Sequence, residues 1–96
     1  MYRDYPESST IFHWESQSGI TVHSPTGQRY IHHDAVGSQI FLLVRRKKTR
    51  DGFTEPYMFA GPVHYVSHQG ERPMAIRWRL DHDLPAEFVQ AARAAG

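Results

Sequence analysis

The sequence contains no cysteine, which excludes disulfides, thiolate nucleophiles and cysteine-based zinc sites together. It has no stretch approaching the roughly 20 consecutive apolar residues that a helix needs to cross a bilayer. Its opening, "MYRDYPESS", is polar and acidic where a signal peptide is basic and then apolar. A secreted domain of this size commonly depends on disulfides, so these absences together set the expectation of a cytoplasmic location and no membrane partner. Charge of one sign is also missing: 11 basic side chains stand against 10 acidic ones, a formal net charge of +1 that exerts no bulk field on a polyanion. Neither "SPTGQR" nor "HQGER" has the glycines and the lysine-hydroxyl pair of a phosphate loop. No internal repeat or low-complexity tract is present, and no cofactor is implied.

What the chain does have is aromatic bulk. Its 96 residues are expected to form a single domain, 1–96, that buries only about 60 to 65% of its extended surface. Five Phe, five Tyr and two Trp compensate, since each buries roughly 150 to 250 Å².

"TIFHWES" reads as a first strand, with Ile11 and His13 on one side and Phe12 and Trp14 on the other. Ile20 to His23 suggests a short strand, and "SPTG" fits a type I turn, with Pro second and Gly fourth. "HHDAVGSQ" is a loop leading to "IFLLVRRKK", the strongest strand signal in the chain. The Asp-Gly pair of "TRDGFTEP" is a hairpin signal, predicting antiparallel pairing of 40–48 with 57–68, and Gly61-Pro62 predicts a bulge or sharp bend within the second of these strands. "ERPMAIRWRL" alternates, with Met74, Ile76, Trp78 and Leu80 facing one way and Ala75, Arg77 and Arg79 the other. The period then switches. Asp83 is placed to cap a terminal helix over 84–95 whose apolar stripe is Leu84, Phe88 and Ala91 or Ala92, docking on the sheet or on a neighbour. The expected fold is mainly β: a small, strongly curled five- or six-stranded antiparallel barrel-like sheet with a C-terminal α-helix.

Seven histidines invite a metal, but their spacing does not follow. His32 and His33 diverge if extended, and His64 and His68 share a strand face about 13 Å apart. His13 and Glu15 share a face too, yet neither the helical His-Glu-x-x-His pattern nor a spaced zinc series occurs. Structural or surface histidines are the reading, with no metal and no catalytic residue assigned. Ser16, Ser18, Ser24 and Ser67 lie outside any nucleophile-elbow pattern.

The binding readings have more material. Arg45, Arg46, Lys47, Lys48 and Arg50 end a strand and enter a hairpin with no acid among residues 40–50, a geometry suited either to phosphates or to keeping a sheet edge soluble. Arg77 and Arg79 share an open face and serve either a phosphate or a salt bridge. His13, Gln17, Gln28, Arg29 and Tyr30 are candidates for selective contacts, with the amide and guanidinium groups suited to base edges or to an acidic peptide. Trp14 and Trp78 are either core or platforms for a base.

Taken together, "FHWESQS", "SPTGQRYIHH", "IFLLVRR" and "GPVHYVSHQGERPMAIRWRLDHDLPAE" resemble an uncharacterised domain family found at the C-terminal end of bacterial superfamily II helicase or restriction-like proteins, over roughly residues 2 to 90. The residues that carry the likeness are Phe12, His13, Trp14, Ser16, Gln17, Thr26, Gly27, Tyr30, Gly61, Gly70, Glu71, Pro73, Trp78, Leu80 and Pro85. The resemblance implies that ATP hydrolysis and strand cutting belong to other domains. It also implies an accessory role in recognising DNA, including a modified or invasive form, in partnership with helicase or nuclease domains of the same or an associated protein. A protein-docking domain, using Leu84 and Phe88 or an exposed sheet edge, is the alternative. A small metal-dependent hydrolase built on His13, Glu15 and His33 is the distant third.

Overall fold

The alternating segment forms the centre of the sheet. In the structure, a computed structural model that describes residues 4–45, 49–50 and 52–95, the strand β7 (Ala75–Leu80) lies between β2 (Ile11–Glu15) and β6 (Met58–Gln69). β1 (Tyr5–Pro6) pairs with the outer side of β2, and β3 (Ile40–Val44) with the outer side of β6, giving the order β1-β2-β7-β6-β3 with every pairing antiparallel. The result is a small, strongly curled five-stranded half-barrel with a C-terminal helix, as the patterning predicts.

Alternation explains the core. Ile76, Trp78 and Leu80 of β7, with Met74 just before it, are buried and meet Phe12, Leu42, Val44 and Val63 from the neighbouring strands. Each such buried side chain contributes roughly 1.5 to 3 kcal/mol, so this cluster carries much of the stability of a thin-cored chain. Arg77 and Arg79 point away from it and are exposed.

Curl comes from β6. Pairing with β3 passes from Leu42 opposite Gly61 to Leu43 opposite Phe59, so Ala60 is an extra residue, and Gly61 has a φ of +93° that a side chain would strain. This is the bend expected at Gly61-Pro62. A second irregularity leaves Val66 over between Tyr65 and Ser67, whose partners Trp78 and Arg77 are adjacent on β7. Two bulges in one twelve-residue strand bend it strongly, as bulges do. The Asp-Gly signal produces a separate two-stranded ribbon, β4 (Thr49–Arg50) with β5 (Phe53–Thr54).

Residues 20 to 32 depart from expectation. Ile20 to His23 is not a strand: the Ile20 carbonyl accepts the Arg72 amide at 3.0 Å, and the Val22 amide donates to Glu71 Oε1 at 3.0 Å. "SPTG" is not a free turn but the start of α1 (Pro25–His32), because the residues that suit a type I turn also suit a helix N-terminus. Ser24 is the N-cap, its Oγ accepting the Gly27 amide at 3.1 Å and donating to the Thr21 carbonyl at 2.8 Å, and Pro25 follows at the first helical position. Gly27 is required by contact: a Cβ there would lie 2.0 Å from the Thr21 carbonyl oxygen.

The terminal helix, α2 (Ala86–Ala95), begins two residues later than predicted. The Val89 amide donates to the Pro85 carbonyl, which puts Pro85 rather than Asp83 at the cap position, and Asp83 instead accepts the Ser9 hydroxyl at 3.4 Å. Leu84, Phe88 and Ala92 are buried in the core, so the helix docks on its own sheet and the stripe is not available to a neighbour.

Candidate functional site

Two clefts flank the middle of the sheet. One is the mouth of the half-barrel, a cavity of about 380 Å³ between β3 on one side and β2 with α1 on the other. Its walls include Asp4, Trp14, Tyr30, Leu42, Tyr57 and Trp78. α1 supplies Tyr30, whose ring meets Trp14 edge-on at 5.3 Å and Trp78 edge-on at 6.0 Å, while Trp14 and Trp78 tilt together at 6.2 Å. Trp78 is the floor, almost fully buried, whereas Trp14 and Tyr30 are half-buried and Tyr57 is exposed. The Asp4 carboxylate accepts the Glu15 amide at 3.0 Å, and burial pushes its pKa up against the lowering effect of that hydrogen bond. At the rim the Arg45 guanidinium sits 4.4 Å over the Tyr57 ring, a cation-π contact.

The wall carrying Tyr30 is held at its C-terminal end by His33. That ring is buried, and both nitrogens are used: Nε2 accepts the Tyr65 amide at 3.2 Å, which makes Nδ1 the donor to the Ser38 carbonyl at 3.0 Å and the imidazole neutral. Beyond it, His64 bridges Asp34 (Nδ1 to Oδ2, 2.9 Å) and Asp81 (Nε2 to Oδ1, 2.8 Å). The hydrogen bond to Asp34 raises the His64 pKa and lowers that of Asp34. Carboxylates on both ring nitrogens favour the charged imidazolium and leave neither nitrogen open to a metal ion. Among the described residues no group of three or more His, Asp or Glu is placed to hold a metal.

The second cleft, about 560 Å³, lies over the open face of the sheet and is lined by Tyr5, Glu7, His13, His68, Arg77 and Arg93 among others. Its ions are largely satisfied from within. Arg77 is held by Glu7 through two parallel bonds of 2.9 and 3.1 Å, Tyr5 and His13 stack at 4.6 Å, and the Tyr65 hydroxyl lies 2.7 Å from His68 Nδ1.

The predicted binding residues are thus divided. His13 and Arg77 meet in the open-face cleft, and Tyr30 stands in the half-barrel mouth with Arg45 at its rim. Arg79 lies 3.8 Å from Asp81, Gln17 and Arg29 are exposed, and Gln28 Nε2 donates to the Val22 carbonyl at 2.6 Å, which ties α1 to the preceding loop. Arg46, Lys47 and Lys48 lie outside the described residues, and Arg50 is placed by its backbone in β4. Asp4 and Tyr57 belong to the mouth without having been singled out from the sequence. Neither carries a local pattern, since the curl of the sheet alone brings residues 4 and 57 to one cavity.

A family described as "Domain of unknown function (DUF3427)" matches residues 1–92. The chain belongs to this family. The resemblance to a domain linked with helicase and restriction-associated proteins holds at that level. No curated protein and no solved structure matches the chain. Several residues that carried the family likeness serve the mouth or its supports: Trp14, Tyr30 and Trp78 line it, Ser24's helix needs Gly27, and Glu71 holds Val22.

Proposed function

We propose that this chain is a non-catalytic, cytoplasmic nucleic-acid-binding module of a DNA-processing or defence system, working beside helicase or nuclease domains. One observation carries the reading: β3, which walls the aromatic mouth, is followed in sequence by Arg45, Arg46, Lys47, Lys48 and Arg50. A cavity for a flat apolar group and a cationic segment for a phosphate backbone are therefore joined in one stretch of chain. Phosphate contacts supply affinity, and the mouth supplies selectivity, including for modified DNA.

Fluorescence polarisation with single- and double-stranded DNA, from low to physiological salt, tests this. Saturable binding with a negative salt slope is expected, and replacing Arg46 and Lys47 with alanine should reduce that slope by about two. No binding to any probe at low salt rejects the reading.

Protein docking is the second reading, through the exposed sheet edge rather than the terminal helix. With Leu84 and Phe88 buried, it rests on Phe41, Leu43 and Phe59, which are 51%, 57% and 63% exposed on β3 and β6, with the two phenyl rings 5.8 Å apart. An apolar cluster beside the terminal strand of a sheet suits another protein better than water.

A further inference from the structure

We infer that the mouth of the half-barrel is a binding site for a single unstacked nucleobase, an assignment that rests on the nucleic-acid reading above. The size is right: about 380 Å³ lies at the lower end of the range for small-ligand pockets and accommodates one planar heterocycle, not a paired duplex. The walls are right as well. Trp14, Tyr30 and Tyr57 present aromatic surface above the buried floor of Trp78, and stacking on such surface is tolerant of base identity.

Hydrogen-bonding groups border the cavity. β3 is the last strand of the sheet, so its side away from β6 presents backbone N–H and C=O groups, and Phe41, Leu42 and Leu43 border the cavity. Across from them Asp4 contributes a carboxyl group. A base entering edge-first thus meets a strand edge on one wall and a carboxyl group on the other. A duplex base reaches such a cavity only after leaving its stack, whereas a single strand offers one directly.

An aromatic cavity with one acid also suggests a methylated ammonium group. Charge at the rim argues against it. The Arg45 guanidinium already occupies a face of Tyr57 there. A guanidinium at that position repels a cationic guest and attracts a phosphate-bearing one.

The chain contains two tryptophans and both line the mouth, so intrinsic fluorescence reports its occupancy. Three ligand sets are titrated: free nucleosides, an oligonucleotide with and without one abasic position, and a trimethyllysine peptide. Saturable quenching by nucleosides is expected, together with weaker oligonucleotide binding when the base is removed. Tyr57→Ala, at a site exposed enough to leave the fold intact, should weaken both by on the order of tenfold. Val36→Ala, exposed and outside the mouth, should change neither. Oligonucleotide binding that ignores both the abasic position and Tyr57→Ala overturns the base site while leaving DNA binding in place. Quenching by nucleosides with no oligonucleotide binding keeps the base site and rejects the DNA-binding reading. Quenching by the peptide alone overturns the assignment in favour of a cationic guest.

Discussion

The open-face cleft has the more conspicuous charges, with Arg77, Arg93, Glu7 and two histidines around a larger volume, yet much of its polar chemistry is turned inward. The half-barrel mouth has one carboxyl group and a set of rings, and its exposed aromatic surface and strand edge are turned outward. A count of charged residues would favour the open-face cleft, whereas the proposed binding site is the mouth. What distinguishes them is whether the fold itself supplies the partner: a bidentate carboxylate already fills the planar fork of Arg77, whereas the rings around the mouth touch one another only edge-on or tilted.

That contrast can be broken at α1, the wall that only the mouth possesses. Gly27→Ala drives a methyl group into the Thr21 carbonyl, so α1 must shift. A loss of about 1 to 3 kcal/mol is expected by denaturant titration, with ligand binding at the mouth impaired while the Glu7–Arg77 pair persists. An unchanged midpoint would show that α1 is not held as tightly as the contact implies.

A smaller effect sharpens the other side. Glu7→Gln removes the carboxylate that holds Arg77, both groups being at least partly exposed, and should cost no more than about 1 kcal/mol. The released guanidinium then becomes available to phosphate, so oligonucleotide affinity should rise at low salt. A fall in affinity would mean that the open-face cleft binds through its paired ions.

The smallest effect is expected from pH. His64 has a raised pKa because it is hydrogen-bonded to Asp34, so its tether is fully present below the ordinary histidine value, about 6.5, and is lost as pH rises through the higher folded-state value. Asp34 behaves oppositely: its lowered pKa gives a contribution that is present above the ordinary carboxylate value and lost as pH falls through the folded one. Amide hydrogen exchange of residues 34–38, corrected for intrinsic pH dependence, should therefore be slowest between those limits, and a flat profile in His64→Gln would assign the dependence to this imidazole.

Much of the sheet was legible because alternation on β7 and the apolar run of β3 are strong local signals, and Gly61-Pro62 marked a real bend. α1 was not. Eight residues span little more than two turns, too few for a helical period to stand out, and Ser-Pro at its start satisfies a turn as well as a cap. The helix is decided by what Gly27 and Tyr30 touch, which is tertiary information. For the same reason Trp14, Tyr30 and Trp78 were recognised singly but their assembly was not, and Asp4 and Tyr57 had no signal at all. The basic run of 45–50 was read from composition alone.

The sheet order has a temporal meaning. Among the described residues β7 is the last strand in chain order, and it alone joins β1-β2 to β6-β3. During synthesis the two halves emerge as separate hairpin-like pieces with open edges, and the cavity between them has no floor until Trp78 arrives. Such late, long-range closure is slow compared with local pairing and leaves strand edges unprotected in the meantime. The proposed site is therefore completed all at once, in the closing step of folding, and a truncation before Ala75 would leave its floor unbuilt.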